Sequence, residues 1–508
     1  MDRCDDMVNV QLYIRRLKGF WEIYSKSKKG VVGLALVIMF GLIALFAPVI
    51  APVDPMRPTW PGYYPGGQPK IAEITCVPIW YKTILGMKNL SENMETVPGY
   101  EFNSKEDFDE WSFSVLSEFL TVDYDQAEGR NGSIRISYHR PAGTPPQGEA
   151  KVVLSKVFDY PFGNPPKSFW IHYSILVKQN ERVTLTFFIE REGEVFKLFQ
   201  DEKFHIGKWT HEATSSTSGA ISANVGSLEP QRVIFSKPTK YTFKIEVTIK
   251  DQGTDEEKDV TVYLDNLQML LYGEAYGLLG TDADRNTPRD LFAMLIHGTR
   301  ISFMVGFLAA IFSVLIGLVA GLVSGFVGGI VDEAIMRIVD LLLVIPTLPL
   351  MIALVMVLGR SIWNIIGVLI FLGWMGFART VRSMVLSIRE RPFIEAAKAA
   401  GGTTGYIIWR HVLPNVFPLV YITLATSVPS AIISEASLAW LGLGDINVPS
   451  WGTMFYNYER TAAGATQAFY QWYWIIPPGL AITLLAMAFI MIGFSLDEIL
   501  NPRLRERR

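Results

Sequence analysis

Apolar residues run almost unbroken from Val31 to Ala51 and return as five further long stretches, near Ser302–Phe326, Glu333–Leu358, Ile362–Ala378, Val416–Trp440 and Trp474–Leu496. A helix needs about 20 apolar residues to cross a bilayer, so the pattern predicts six transmembrane helices. The first stretch follows Lys26, Lys28 and Lys29, and no small-residue cleavage pattern separates it from the region behind. It is too long for a signal-peptide core and predicts a retained helix over 30–52 with its basic end inside. Upstream, Val10, Leu17, Phe20, Trp21 and Tyr24 interleave with Arg15, Arg16 and Lys18. Residues 1–29 therefore read as a cytoplasmic segment, either an amphipathic helix in the headgroup region or a solvated tail.

Between the first and second spans the period changes. Residues 53–95 are rich in Pro, Gly and Tyr and predict a linker or irregular packing segment. From 96 to 273 the pattern is alternation. It predicts strands at Ser133–His139, Lys151–Phe158, Phe169–Val177, Val183–Ile189, Tyr241–Ile249 and Val260–Leu264, with Glu192-Gly193 as a hairpin turn. Many short strands with turn signals predict an all-β sandwich inserted between the spans. Residues 274–508 then hold the remaining five spans.

Charge sharpens this division. The chain has 508 residues and a formal net charge of −3, which gives no sign of nucleic-acid binding. Residues 53–290 carry 34 acidic and 25 basic residues, whereas the remainder carries 15 and 21. Arg379, Arg382, Arg389, Arg391, Lys398 and Arg410 fall in one loop, and Arg503, Arg505, Arg507 and Arg508 in the tail. Cationic loops stay inside, so both termini and the 379–415 loop are expected in the cytoplasm and 53–290 outside the cell. Tyr470, Trp472, Tyr473 and Trp474 suit an interfacial aromatic belt. Cys4 and Cys76 flank the first span, which predicts that they do not pair.

The segment most informative about function lies in the cationic loop. Pro392 suits the first position of a helix, where its missing N–H costs nothing. Glu395 follows in the first turn, where the helix dipole favours an anion. Ala396, Ala397, Ala399 and Ala400 add little bulk, and Gly401 and Gly402 end the helix. Such a helix, within 391–405, is too small for its own core and is shaped for another protein's groove. Glu395-Ala396-Ala397, Gly401, Arg410-His411, Leu413 and Pro414 have the spacing of the coupling motif of ABC-importer permeases, and the segment resembles that motif in the peptide-transporting subfamily. Leu279-Gly280-Thr281-Asp282, Gly298-Thr299-Arg300-Ile301-Ser302, Glu435-Ala436-Ser437-Leu438, Pro449-Ser450-Trp451-Gly452 and Asn501-Pro502-Arg503 are similar to the same family, as is 1–52. Pro288-Arg289-Asp290 stands where the family usually has Gly-Arg-Asp, and the 53–273 block is not part of its usual pattern.

The resemblance is closest to the second permease of a dipeptide/oligopeptide ABC importer. It implies a six-span type I permease, forming half of a pathway for di- or oligopeptides. Implied partners are two ATPase subunits carrying ATP-Mg, a second permease, an extracellular substrate-binding protein and the lipid bilayer. The chain has no phosphate-cradling G-x-x-x-x-G-K-[ST] loop, so it is expected to be no enzyme and to hold no cofactor of its own. An oligosaccharide is the alternative cargo. Charges inside membranes are costly and usually functional, which singles out Asp340 and Glu435. Asp340 has Arg337 one turn away as an expected partner, and Glu435 is placed to hold the 441–451 loop.

In the inserted block, Val97-Pro98-Gly99-Tyr100-Glu101 and Val262-Tyr263-Leu264-Asp265-Asn266-Leu267 resemble the edges of jelly-roll carbohydrate-binding modules. That resemblance implies a structural calcium ion at Glu101 and Asp265, whose carboxylates are hard oxygen ligands. Trp111, Trp170 and Trp209 are candidates for a sugar platform, with at least two expected in the core instead. A reading of a different class is a membrane-anchored carbohydrate-binding or sensor protein, which requires one anchor.

Overall fold

The structure is a computed structural model that describes residues 21–56, 71–98, 100–126, 131–179, 181–203, 207–252, 255–282, 288–462 and 471–500. The readings at Cys4, at 1–20, at Gly99, at Tyr470 and in the 501–508 tail lie outside the described residues. The chain divides into a helical unit, Met1–Arg57 with Arg289–Arg508, and a second unit, Pro58–Pro288.

In the helical unit, α1 (Lys28–Ile50) follows Ser27, whose hydroxyl accepts the Gly30 N–H at 3.2 Å. Next, α2 (Leu291–Val327) starts eleven residues before the expected span, because Asp290 caps it by accepting the Phe292 and Ala293 N–H groups at 2.8 and 3.2 Å. The stretch expected as one span at 333–358 is broken into α3 (Gly329–Val344) and α4 (Thr347–Leu358), bent by 96°. Pro346 explains the break: Ile345 before it is extended, at φ −76° and ψ 129°, as the proline ring requires. The next span, α5 (Ile362–Gly373), continues past Trp374 as α6 (Met375–Arg389). Much of the expected loop is therefore helix carrying Arg379, Arg382 and Arg389. Then come α7 (Pro392–Ala399), α8 (Leu413–Leu438) between two π-helical turns, α9 (Trp451–Ala462) and α10 (Trp472–Leu500). Among the described residues five helices are long and apolar enough to cross a membrane, and six if the bent pair counts as one. A single-anchor protein is excluded.

Small residues set the packing of α2 on α6. A Cβ at Gly317 would lie 2.7 Å from the Trp374 carbonyl oxygen, at Gly321 2.6 Å from that of Ala378, and at Gly325 2.9 Å from that of Arg382. Their spacing of four forms one stripe, and only glycine lets the two backbones approach so closely.

The second unit is a two-layered antiparallel sandwich. One sheet has the order β3 (Leu120–Asp125), β4 (Ser133–Arg140), β11 (Lys258–Tyr272), β6 (Ser168–Val177), β9 (Thr210–Ser215), with β1 (Met94–Glu95) also on β11. The other runs β2 (Ser112–Val115), β5 (Gly148–Tyr160), β10 (Thr239–Asp251), β7 (Val183–Arg191), β8 (Glu194–Lys203). All six strands expected from alternation are present, and each is longer than expected. The β7–β8 hairpin turns at Glu192 and Gly193, with φ +50° and +85°, as a two-residue turn that follows strand twist demands. Alternate residues such as Ile171, Tyr173 and Ile175 of β6 enter the shared core with Phe187, Phe243 and Ile245.

One expectation for this unit changes. Of the three tryptophans only Trp111 is in the core; Trp170 and Trp209 are half-buried, with Trp170 stacked on His172 and Trp209 tilted against Tyr263. Trp170 follows Phe169, so the period of two sends it to the other face. Residues 71–95 are packed irregular chain: the Cys76 N–H donates to Thr281 Oγ1 at 2.9 Å, and Ile71, Ala72 and Cys76 are fully buried. Cys76 is a free thiol, and burial raises its pKa.

Candidate functional site

The Glu395–Gly401 segment forms the helix its composition calls for. Pro392 occupies the first turn of α7, Glu395 sits in that turn and Lys398 in the last. Gly401 adopts φ +81°, a conformation that costs an L-residue roughly 1–2 kcal/mol. The Gly402 N–H reaches back to the Ala397 carbonyl at 3.0 Å and closes the end. Glu395, Ala396, Ala399 and Gly401 are exposed, whereas Ile394 is fully buried.

Ile394 joins a cluster with Phe326 of α2, Val381, Val385 and Ile388 of α6, and Ile407, Val412 and Val416. The Lys398 ammonium also lies 5.7 Å from the centre of the Phe326 ring. The exposed face of α7 is thus fixed through its buried side to residues of three helices, α2, α6 and α8. Leu413 is partly buried against this cluster, and Pro414 is exposed in the first turn of α8. Arg410 and His411 fall in a π-helical turn, Ile408–Val412. Sequence reasoning did not single out the aromatic rim of this face. Phe393 and Tyr406 flank His411 at ring distances of 6.4 and 5.9 Å, and Trp409 is 74% exposed. The available signal was three aromatics, Phe393, Tyr406 and Trp409, within seventeen residues rich in Ala, Gly and Thr.

Asp340 does not pair with Arg337. Its carboxylate accepts from Arg379 of α6, while Arg337 lies 3.6 Å from Glu333. About two turns earlier on α3 and nearly one turn later on α6, Arg382 grips Asp332 with two bonds of 2.5 and 2.6 Å, and Ser324 donates to the same carboxylate. Glu435 is 1% exposed in α8 and faces the hydroxyls of Ser302 and Ser450. Ser450 in turn accepts the Thr453 N–H at 3.2 Å at the start of α9, and Trp451 Nε1 donates to the Leu295 carbonyl at 3.1 Å.

In the sandwich, Glu101 accepts from Asn103 Nδ2 at 2.7 Å, and Asp265, 3% exposed, accepts the Asn266 N–H at 2.7 Å. Glu95 has its carboxyl raised by burial, with the charge of Glu101 adding to the effect. Oxygen donors of this kind suit a hard cation. Among the described residues, three potential ligand groups converge elsewhere, at exposed His139, Glu257 and Asp259, where cross-strand pairing brings His139 Nδ1 2.8 Å from Asp259 Oδ1.

Comparison with known proteins places these features. Residues 293–506 match the binding-protein-dependent transport system inner membrane component, and residues 16–64 match the N-terminal TM domain of oligopeptide transport permease C. A probable peptide ABC transporter permease of Sinorhizobium fredii is 38% identical over 48% of this chain and 81% of its own length. The oligopeptide transport system permease protein OppC of Bacillus subtilis is 36% identical over 45% and 72%. Among solved structures, the MetNI methionine ABC transporter aligns at 22% identity and a TM-score of 0.31, covering 42% of this chain and 96% of that one. A carbohydrate-binding module, TmCBM61, aligns at 11% identity and 0.21, covering 35% and 97%. The chain belongs to the family of binding-protein-dependent transport system inner membrane components, the multi-pass permeases of ABC importers.

Proposed function

We propose that this chain forms half of the translocation pathway of an ATP-driven importer of di- and oligopeptides. It has the type I permease arrangement, with both termini in the cytoplasm and 53–290 outside the cell. Two ATPase subunits hydrolyse ATP-Mg below it, a second permease completes the pathway, and an extracellular substrate-binding protein delivers the cargo. Peptide rather than oligosaccharide is favoured because the relatives compared above are named as peptide permeases.

The observation that carries the reading is the exposed α7 face, fixed by buried Ile394 to α2 and α6. This helix, within 391–405, docks in an ATPase groove through Glu395, Ala396, Ala397 and Gly401. Leu413 and Pro414 pass its displacement to α8 as a rigid-body movement. Asp340 and Glu435 serve as internal fasteners, tying α3 to α6 and α8 to the start of α9. The test is Gly401→Asp in the complete transporter. Uptake and binding-protein-stimulated ATPase activity should both vanish while all subunits still co-purify. Normal uptake by this variant would sink the assignment.

The inserted unit is a jelly-roll accessory domain with a structural calcium ion at Glu101 and Asp265. A chelator should lower the temperature at which the sandwich unfolds; an unmoved transition would rule the ion out.

A further inference from the structure

The helical unit contains a cavity of about 280 Å³ whose polar lining is made of hydroxyls: Ser313 of α2, Thr347 of α4, and Thr426, Ser427, Ser430 and Ser434 of α8. Small-molecule sites usually measure about 300–1,000 Å³, so this cavity lies just under the lower end of that range. Among the described residues its lining includes no Asp, Glu, Lys, Arg or His. The α8 positions recur at spacings of three and four, on one face of that helix. Thr426 and Ser430 are exposed although α8 belongs to a membrane-spanning stretch, and polar side chains facing lipid there gain nothing.

The direction of the hydrogen bonds gives this wall its chemistry. The Thr426 hydroxyl donates to the Ile422 carbonyl at 3.2 Å and the Thr423 carbonyl at 3.0 Å, and the Ser430 hydroxyl donates to the Thr426 carbonyl at 3.0 Å. A hydroxyl has one proton and two lone pairs, so with the proton spent on the helix each oxygen is left as an acceptor. Ser313 is 5% exposed and its hydroxyl lies 3.4 and 3.5 Å from the Ile370 and Leu369 carbonyls, again turned toward backbone. Thr426, Ser430 and Ser313 therefore offer the cavity acceptors without charge.

Resting on the importer reading above, we propose that this cavity is the part of the pathway wall that contacts the cargo. Its hydroxyl oxygens accept from the N–H groups of a peptide main chain. Main-chain amides are common to every peptide, and an uncharged wall neither selects nor traps acidic or basic side chains. It thus passes peptides by their backbone and leaves selection to the delivering protein.

The experiment uses the reconstituted transporter with all its subunits, after replacing Cys4 and Cys76 by serine. Ser430→Cys should react with a water-soluble cationic methanethiosulfonate and then lose uptake of tri-alanine about tenfold or more, whereas Val428→Cys, buried on the opposite face of α8, should stay unmodified. Ser430→Val should raise KM for tri-alanine about tenfold, the equivalent of one lost hydrogen bond. Ser430→Thr, which restores the hydroxyl, should return KM to within about twofold of the parent. Co-purification of the partner subunits with each variant shows that it has folded. A folded Ser430→Cys that resists the reagent, or a Ser430→Val with the parent's KM, overturns the proposal. If instead the labelling and KM effects appear only with an oligosaccharide and the parent does not carry tri-alanine, the cavity stands and the peptide reading falls.

Discussion

The two units of this chain solve opposite solvent problems. The sandwich buries its large side chains: Phe187, Phe243, Tyr241 and Ile245 are completely enclosed, and charged ladders such as Lys244–Glu190 and Lys250–Glu202 cross its surface. The helical unit exposes its large side chains: Val49, Ile330, Val344 and Val357 are each at least 77% exposed, while Gly317, Gly321 and Gly325 occupy the contact between helices. In water, association is driven by hiding apolar surface. In lipid that drive is absent between helices, and close backbone approach takes its place. The same residue types therefore mean different things in the two halves of one sequence.

Substitutions at three places sharpen the contrast. The largest effect is expected at Gly321→Leu. A side chain there collides with the Ala378 carbonyl and Val381 and should separate α2 from α6, seen as complete loss of the assembled transporter on size-exclusion chromatography. Val319→Leu, two residues away but 58% exposed, should assemble normally. If both variants behave alike, the stripe does not set the packing.

An effect nearly as large is expected at a buried ion pair of the sandwich. Arg140 and Asp251, 2% and 0% exposed, approach to 3.0 Å, and the Tyr138 hydroxyl and Gln147 N–H donate to the same carboxylate oxygen. Arg140→Leu should destabilise the sandwich by about 3–5 kcal/mol, because it strands a buried charge. Burial alone would raise the Asp251 pKa, but the Gln147, Tyr138 and Arg140 partners outweigh it and hold the carboxyl below its usual value. A depressed folded pKa stabilises above the unfolded value of about 3.9 and loses that contribution as pH falls through the folded one. Thermal unfolding of the sandwich should therefore drop more steeply below about pH 4 in the parent than in Asp251→Asn. Parallel curves would remove Asp251 from the acid response.

The smallest effect belongs to the surface ladder. Lys250→Ala removes a pair whose partners are 36% and 43% exposed, and should shift stability by no more than about 1 kcal/mol. A larger loss in chemical denaturation would mean that the ladder acts as a network.

Much of this architecture is local and therefore legible in the chain. Six strands, most spans and the α7 helix follow from periods of 2 and 3.6 and from Pro392 and Gly401 at the helix ends, because each is settled by neighbours within a few residues. The alternation at Phe169–Val177 also assigns faces: Phe169 and Ile171 enter the core, and Trp170 between them lies on the other face. At Ile345-Pro346 the sequence holds the cause of the break, but the 96° bend goes with α3 packing on α2 and α4 on α5.

What the tertiary structure alone decided is which distant groups meet. Asp340 had Arg337 at hand on its own helix, yet Arg379, thirty-nine residues away, takes it. His139 reaches Asp259 across 120 residues because β4 lies beside β11, and the hydroxyls of α8 share a cavity with Ser313 and Thr347 only once α2, α4 and α8 are assembled. Periodicity specifies an element and its faces; the pairing of faces is fixed by the sum of many weak long-range contacts, which no short window of sequence contains.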